Sequence, residues 1–289
     1  MSSHQHAYLP SRAVLRLSGV DTRPFLQGLI SNDVEKISAE RAIYAAFLTP
    51  QGKFLHDMFI AADGDDLLLD CEAERMDDLL ERLKLYRLRS KVEITPAEYC
   101  RVVAIFGDGA LPALGLAADA GAATRSGDMV VFVDPRLAGA GARALVPAGA
   151  DVGCLGKEVS ADVYDAHRLR LGLPDGSRDI VVDKAILLES GFEELNGVDF
   201  QKGCYMGQEL TARTKYRGLV KKRLLPVVIE GEALPGAEII ANGKNAGELR
   251  SVHEGRGMAL IRLEALDSGA PMTAGEARIS AETPDWLSR

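Results

Sequence analysis

The arrangement of apolar and turn-forming residues predicts an α+β protein that ends in a small antiparallel β-barrel. Three observations carry this. Strands and helices of the first two thirds are mixed, without the strand–helix–strand alternation of a doubly wound sheet. The stretch EAERMDDLLERLKLYRLRS repeats Met76, Leu79, Leu80, Leu83 and Tyr86 at helical spacing. From about Leu219 the chain changes to short apolar runs broken by Gly and Asn-Gly turns. The expected boundary separates residues 1–218, read as two interleaved α+β lobes, from a barrel over residues 219–289.

The elements follow in order. AVLRLSG reads as a strand, and DTRPFLQGLISNDV as a short helix capped by Asp21 or Thr22 with Pro24 in its first turn. AIYAAFLTPQGKFLHDMFIAADGDDLLLDCE reads as strands broken at Pro50-Gln51-Gly52 and at Asp63-Gly64. After the amphipathic helix come strands KVEIT and YCRVVAIFG, then an Ala/Gly-rich region from Gly109 to Gly127 read as helix plus loop. Strands DMVVFVDPR and RALVP precede a helical pattern from Ser160 to Leu171, which GLPDG ends.

A chain of 289 residues, 47% hydrophobic and 26% charged, can bury substantial cores. Its net charge of -8 excludes general affinity for duplex nucleic acid or anionic membranes, since neutralising phosphates needs a surplus of cations. No apolar run reaches the roughly 20 residues of a membrane helix, and the start lacks the blocks of a signal peptide. A soluble, cytoplasmic protein is expected, with no nucleic-acid or membrane partner. The four cysteines, Cys71, Cys100, Cys154 and Cys204, lie dozens of residues apart, with no spacing that suits a metal site or a disulfide framework. Cys71 and Cys100 sit in strand-like runs, as small buried hydrophobes do.

Cys204 differs. In FQKGCYMGQELTARTKYRG, Phe200 to Gly218, it stands among Gly, Lys, Gln and Glu, just ahead of a helical pattern that begins near Tyr205 or Met206. A helix N-terminus and Lys202 would both favour the thiolate and give a reactive, accessible sulfur. The alternative is a turn glycine beside a half-buried filler. Arg213, Lys215, Arg217, Lys221, Lys222 and Arg223 follow with no acid among them, either a solvated basic face or a seat for an anionic ligand. In QGKFLHDMFIA, His56 and Asp57 fall on opposite faces of a strand among apolar neighbours. Asp57 therefore needs a partner, either a nearby arginine or an N–H-bearing ligand.

FQKGCYMGQE resembles the K-G-C-[FY]-x-G-Q-E signature of the YgfZ-type folate-binding proteins, iron–sulfur cluster assembly factors related to the glycine-cleavage T protein. LSGVDTRPFLQGLISNDV, PQGKFLHDMFI, LKLYRLRSKVEI, HRLRLGLPD and the segment from Leu188-Glu189 into the motif extend the likeness over nearly the whole chain. The resemblance implies three lobes around a tetrahydrofolate pocket, the folate polyglutamylated or carrying a one-carbon unit. It implies that Cys204 is the functional thiol with Lys202 beside it, in a loop shaped by Gly203, Tyr205, Gly207, Gln208 and Glu209. Asp57 and Glu189 would reach the pteridine, and Arg213 and Arg217 the glutamyl tail; no metal ligands are implied. Partners would be iron–sulfur enzymes or cluster-assembly proteins. T proteins carry Asp-Asp where this chain has His56-Asp57, and LRLE where it has Leu169-Arg170-Leu171-Gly172. These departures favour an accessory factor over an aminomethyltransferase; the alternative is a folate-dependent one-carbon transferase with Asp57 as its acid/base group.

Overall fold

The structure, a computed structural model, describes residues 4–287. The chain divides into two interleaved compact units, one of residues 1–48, 55–164 and 195–206, the other of residues 49–54, 165–194 and 207–289. Helices and sheets are mixed and the last element is a closed barrel, as expected from the sequence.

The first unit holds two sheets. One runs Ile43–Leu48, Phe54–Asp63, Asp66–Glu72, Arg12–Ser18 and Glu93–Pro96. The other runs Lys157–Glu158, Gln5–Tyr8, Cys100–Phe106, Ala142–Pro147, Met129–Val133 and Ala123–Ser126. The helix Met76–Arg87 buries Leu79, Leu80 and Leu83, the stripe that its sequence spacing predicts. The helix Thr22–Gln27 begins after Asp21, but the Asp21 carboxylate does not cap it and instead accepts the Lys91 N–H at 2.7 Å. The Gly109–Gly127 region holds only one helical turn, Ala110–Ala113, before the strand Ala123–Ser126.

Strand Phe54–Asp63 is buried along Phe54–Ala61 on both faces, so polar groups on it must be satisfied internally. Around Phe59 the first unit gathers three guanidinium groups and three carboxylates. Asp70 accepts Arg12 Nε at 2.6 Å on one oxygen and Arg143 Nε at 2.8 Å on the other. Arg143 lies 4.0 Å and Arg136 4.8 Å from the Phe59 ring centre, placing cations over the π face. Arg136 is paired to Asp134 at 2.8 Å. Burial alone would raise the Asp134 carboxyl, but Arg136 holds it below its usual value. Arg12 and Asp70 belong to the first sheet and Arg143 to the second, so the cluster fastens the two together.

In the second unit the barrel closes in the order Lys222–Glu230, Arg256–Arg262, Lys244–His253, Glu238–Ala241, Met272–Ala274 and Ala277–Ala281, all antiparallel. Val227, Ile229, Ile239, Leu249, Ile261 and Ile279 fill it. Asn242 and Gly243, both at positive φ, join two of its strands in the tight turn expected from Asn-Gly. Arg168 is buried and donates to Asp165 at 2.7 Å, to Ser251 Oγ at 3.0 Å and to Asp179. It ties the helix Ala161–Arg170 to the strand Lys244–His253.

Asp70→Ala would leave Arg12 and Arg143 buried without their shared anion. It is expected to cost about 3–5 kcal/mol, read in urea as a lower midpoint at unchanged slope. A loss under about 1 kcal/mol would show that the cluster does not hold the sheets.

Candidate functional site

The motif loop belongs to the first unit as far as Met206. Lys202 extends its ammonium to Ile30 O and Asn32 O, each at 2.6 Å, and its own carbonyl accepts from Gln27 Nε2 at 3.3 Å. Burial lowers its pKa to about 8. Tyr205 is buried with its ring 5.2 Å from that ammonium, and Met206 N–H donates to Gly28 O at 3.0 Å. Between these fastenings Gly203 and Cys204 are exposed. Gly203 has φ +94°, and a side chain there would meet nothing within 4 Å, so glycine answers to the backbone turn and the space beside Cys204 is open.

One sequence expectation needs correction. The helix runs Gln208–Tyr216 after Gly207 in the left-handed region, so it starts beyond Tyr205 and Met206 and Cys204 sits in the loop ahead of it. Lys202, expected only as a cation beside the thiol, also donates its ammonium to backbone carbonyls and so tethers the loop. Cys154 is also exposed, whereas burial raises Cys71 to about 12 and Cys100 to about 11. Cys154 and Cys204 are thus the two exposed thiols, with Cys100 half-buried and Cys71 buried.

Asp57 is 2% exposed. Its Oδ2 accepts from Tyr44 OH at 3.0 Å, and Arg12 Nη1 lies 3.6 Å from Oδ1, which makes no hydrogen bond. The partner expected for this carboxylate is therefore an arginine and a tyrosine, with one buried acceptor left over. Neighbouring His56 is buried with Nε2 2.8 Å from Asp78, a geometry suited to a neutral ring donating N–H. Burial lowers His56 to about 4.

In the second unit Glu189 lines a pocket of about 300 Å³ with Lys184, Lys222, Arg250 and Glu248. Gly207 O and the Leu210 side chain approach Gly52 so closely that a Cβ there would stand 2.6 Å from each, which explains the glycine of the Pro50-Gln51-Gly52 turn. The basic strip is less free than its sequence suggests. Lys215 pairs with Glu193, Arg223 with Glu194 at 2.9 Å, and exposed Arg213 lies 3.8 Å from Glu209. Arg217 and Lys221 are exposed.

Sequence reasoning missed Arg12, Asp70, Arg136 and Arg143. The available signal was charged residues at inward positions of otherwise apolar strands.

Residues 221–289 match the family model described as CAF17, C-terminal beta-barrel domain. The glycine cleavage system aminomethyltransferase T from Bartonella henselae aligns with a TM-score of 0.80 over 99% of this chain and 87% of that one; at 14% identity this shows the fold alone. The human iron-sulfur cluster assembly factor IBA57, mitochondrial, is 36% identical over 96% of this chain and 84% of its own length. The chain belongs to the IBA57 family of iron–sulfur cluster assembly factors. The mouse IBA57 is 34% identical over 96% of this chain and 84% of its own, and the Neurospora crassa homologue 32% over 96% and 66%. IBA57 membership meets the expectation of an iron–sulfur role on a T-protein fold, with the YgfZ type standing as a related family. The cytoplasmic expectation does not hold, because the human, mouse and Neurospora IBA57 proteins are all named mitochondrial. No helix of the described residues is long and apolar enough to cross a membrane.

Two predictions follow from this geometry. His56 has a folded pKa of about 4 against 6.5 when unperturbed, so between these values the unfolded chain binds more protons. Its contribution, up to roughly 3 kcal/mol, is complete above pH 6.5 and is lost as pH falls to 4. His56→Gln should flatten the stability–pH curve in that window in denaturant titrations; an unchanged slope would refute the assignment. Iodoacetamide mapped by mass spectrometry should label Cys204 and Cys154 fastest in the native protein, the half-buried Cys100 more slowly, and spare Cys71; labelling of all four at one rate would refute the burial pattern.

Proposed function

We propose that this chain is a tetrahydrofolate-binding accessory factor for iron–sulfur cluster assembly or repair, acting through Cys204. The observation that carries the reading is an exposed thiol on a loop fastened on both sides, by Lys202 to Ile30 and Asn32 and by Met206 to Gly28. Such a loop presents sulfur with little conformational freedom to lose on contact. Thiolate clusters of the common kinds take four cysteines. Among the described residues no three His, Cys, Asp or Glu side chains converge to hold a metal. Cys204 thus offers one ligand to a cluster whose other ligands belong to a partner, with the cluster as cargo.

For the folate, the buried Asp57 Oδ1 is an acceptor that an N–H-bearing heterocycle would satisfy. Glu189, Arg213 and Arg217 are the other residues assigned to it, the arginines as exposed cations suited to carboxylates of a glutamyl chain. Bound tetrahydrofolate would supply a carrier for one-carbon units.

Cys204→Ser, in an exposed loop, should change stability by less than about 0.5 kcal/mol. It should keep tetrahydrofolate affinity in calorimetry, yet fail to restore iron–sulfur enzyme activity in a strain lacking the protein. Full rescue would overturn the role of the thiol. Asp57→Asn should weaken tetrahydrofolate about tenfold, near 1.4 kcal/mol; unchanged affinity would remove Asp57 from the site. Asp57-dependent turnover with a folate one-carbon donor would replace the accessory reading with group transfer.

A further inference from the structure

The end of the helix Met76–Arg87 and the loop after it carry a surface that nothing above uses. Leu85 is 71% exposed, Leu88 87% and Val20 81%. Leu88 sits at φ +46°, a conformation that a branched side chain rarely adopts. The loop around it is fixed: Ser90 N–H donates to Arg87 O at 2.8 Å and Val92 N–H to Ser90 O at 2.9 Å. Gly19 packs so closely that a Cβ there would stand 2.2 Å from Lys91 O, so the backbone just ahead of Val20 lies on the same loop. An exposed leucine held in a sparsely populated backbone conformation gains little from burial, and such outliers point to function.

The charge of this surface is opposite to that of the chain. Lys84-Leu85-Tyr86-Arg87-Leu88-Arg89-Ser90-Lys91 holds four cations and no acid, in a protein of net charge -8. All four are exposed, and none is in an ion pair among the described residues. Arg87, Arg89 and Lys91 line an open recess together with Ser18, Gly19 and one acid, Glu93, and Asp21 lines the next one with Leu88 and Arg89.

Position relates this surface to the thiol. The helix Thr22–Gln27 starts beside Val20 and ends at Gln27 and Gly28, which contact Lys202 and Met206 of the motif loop. Six helical residues span about 9 Å.

We propose that Val20, Leu85 and Leu88, ringed by Lys84, Arg87, Arg89 and Lys91, form the docking surface for an acidic segment of the cluster-bearing partner, with apolar side chains seated on the leucines. Docking there holds the partner's cluster one short helix from Cys204. The inference rests on the accessory-factor reading of Cys204.

The test uses the full chain. The probe is a peptide of alternating Glu and Leu, with a Lys/Leu peptide and a Glu/Ser peptide as controls, titrated at low and high salt. The Glu/Leu peptide alone should bind, at least tenfold more weakly in high salt, and Leu88→Gly with Arg89→Glu should abolish binding. Glycine adopts the φ of +46° and ψ of −108° of this position without strain, so Leu88→Gly alone should leave the melting temperature equal or higher while weakening the peptide at least fivefold. A structural residue would instead lose stability. In the strain lacking the protein, the double variant should fail to restore iron–sulfur enzymes while keeping tetrahydrofolate affinity and Cys204 alkylation. If Cys204→Ser fails to rescue but the double variant rescues fully, the docking surface is refuted and the thiol's role stands. If Cys204→Ser rescues, the underlying reading fails. A concentration-dependent dimer in sedimentation that Leu88→Gly abolishes, or binding to anionic vesicles in preference to the peptide, would also overturn the proposal by giving the face another occupant.

Discussion

Asp70 cannot be buried without both of its arginines. A carboxylate removed from water is tolerated only where paired and hydrogen-bonded, and Asp70 meets that condition through Arg12 from its own sheet and Arg143 from the other. The two sheets of the first unit are thereby held in one register around Phe59, and Arg136 with Asp134 extends the same balance of charge. Asp57, with Tyr44 and Arg12 as neighbours, inherits its position from this cluster. The orphan oxygen of Asp57 is a product of that arrangement, since Arg12 has already committed its Nε to Asp70.

The parts of this fold that were legible in the sequence are those governed by neighbours along the chain. The stripe Leu79, Leu80, Leu83 and the Asn242-Gly243 turn are local patterns, and both helix and barrel form where those patterns stand. The charged cluster was not legible, because Arg12 and Asp70 are 58 residues apart and Arg143 lies a further 73 away. Within the site, Cys204 and its motif were visible, but the destination of Lys202 was not; its acceptors are carbonyls 170 and 172 residues earlier. The start of the helix was misplaced for a local reason: Gly207 takes positive φ, which ends any helical run that would include Tyr205.

The shared fold and the family membership say different things. The likeness to an aminomethyltransferase at 14% identity concerns architecture, and folds host many chemistries. The role in iron–sulfur assembly comes from family membership, and the residues proposed for it lie in a loop rather than in the buried centre. His56, neutral and paired to Asp78, supports the strand without offering an acid.

The interleaving of the units bears on synthesis. The first unit needs residues 195–206 to be complete, and Lys202 closes onto Ile30 only after 172 further residues have left the ribosome, roughly ten to thirty seconds later at ordinary rates. Until then Ile30 and Asn32 lack the ammonium they accept from. The motif loop is thus the last strand of the first unit's knotless weave to arrive, and a chain broken before it displays neither the tether nor the thiol. Presentation of Cys204 is in this sense a certificate that the whole of the first unit has been translated.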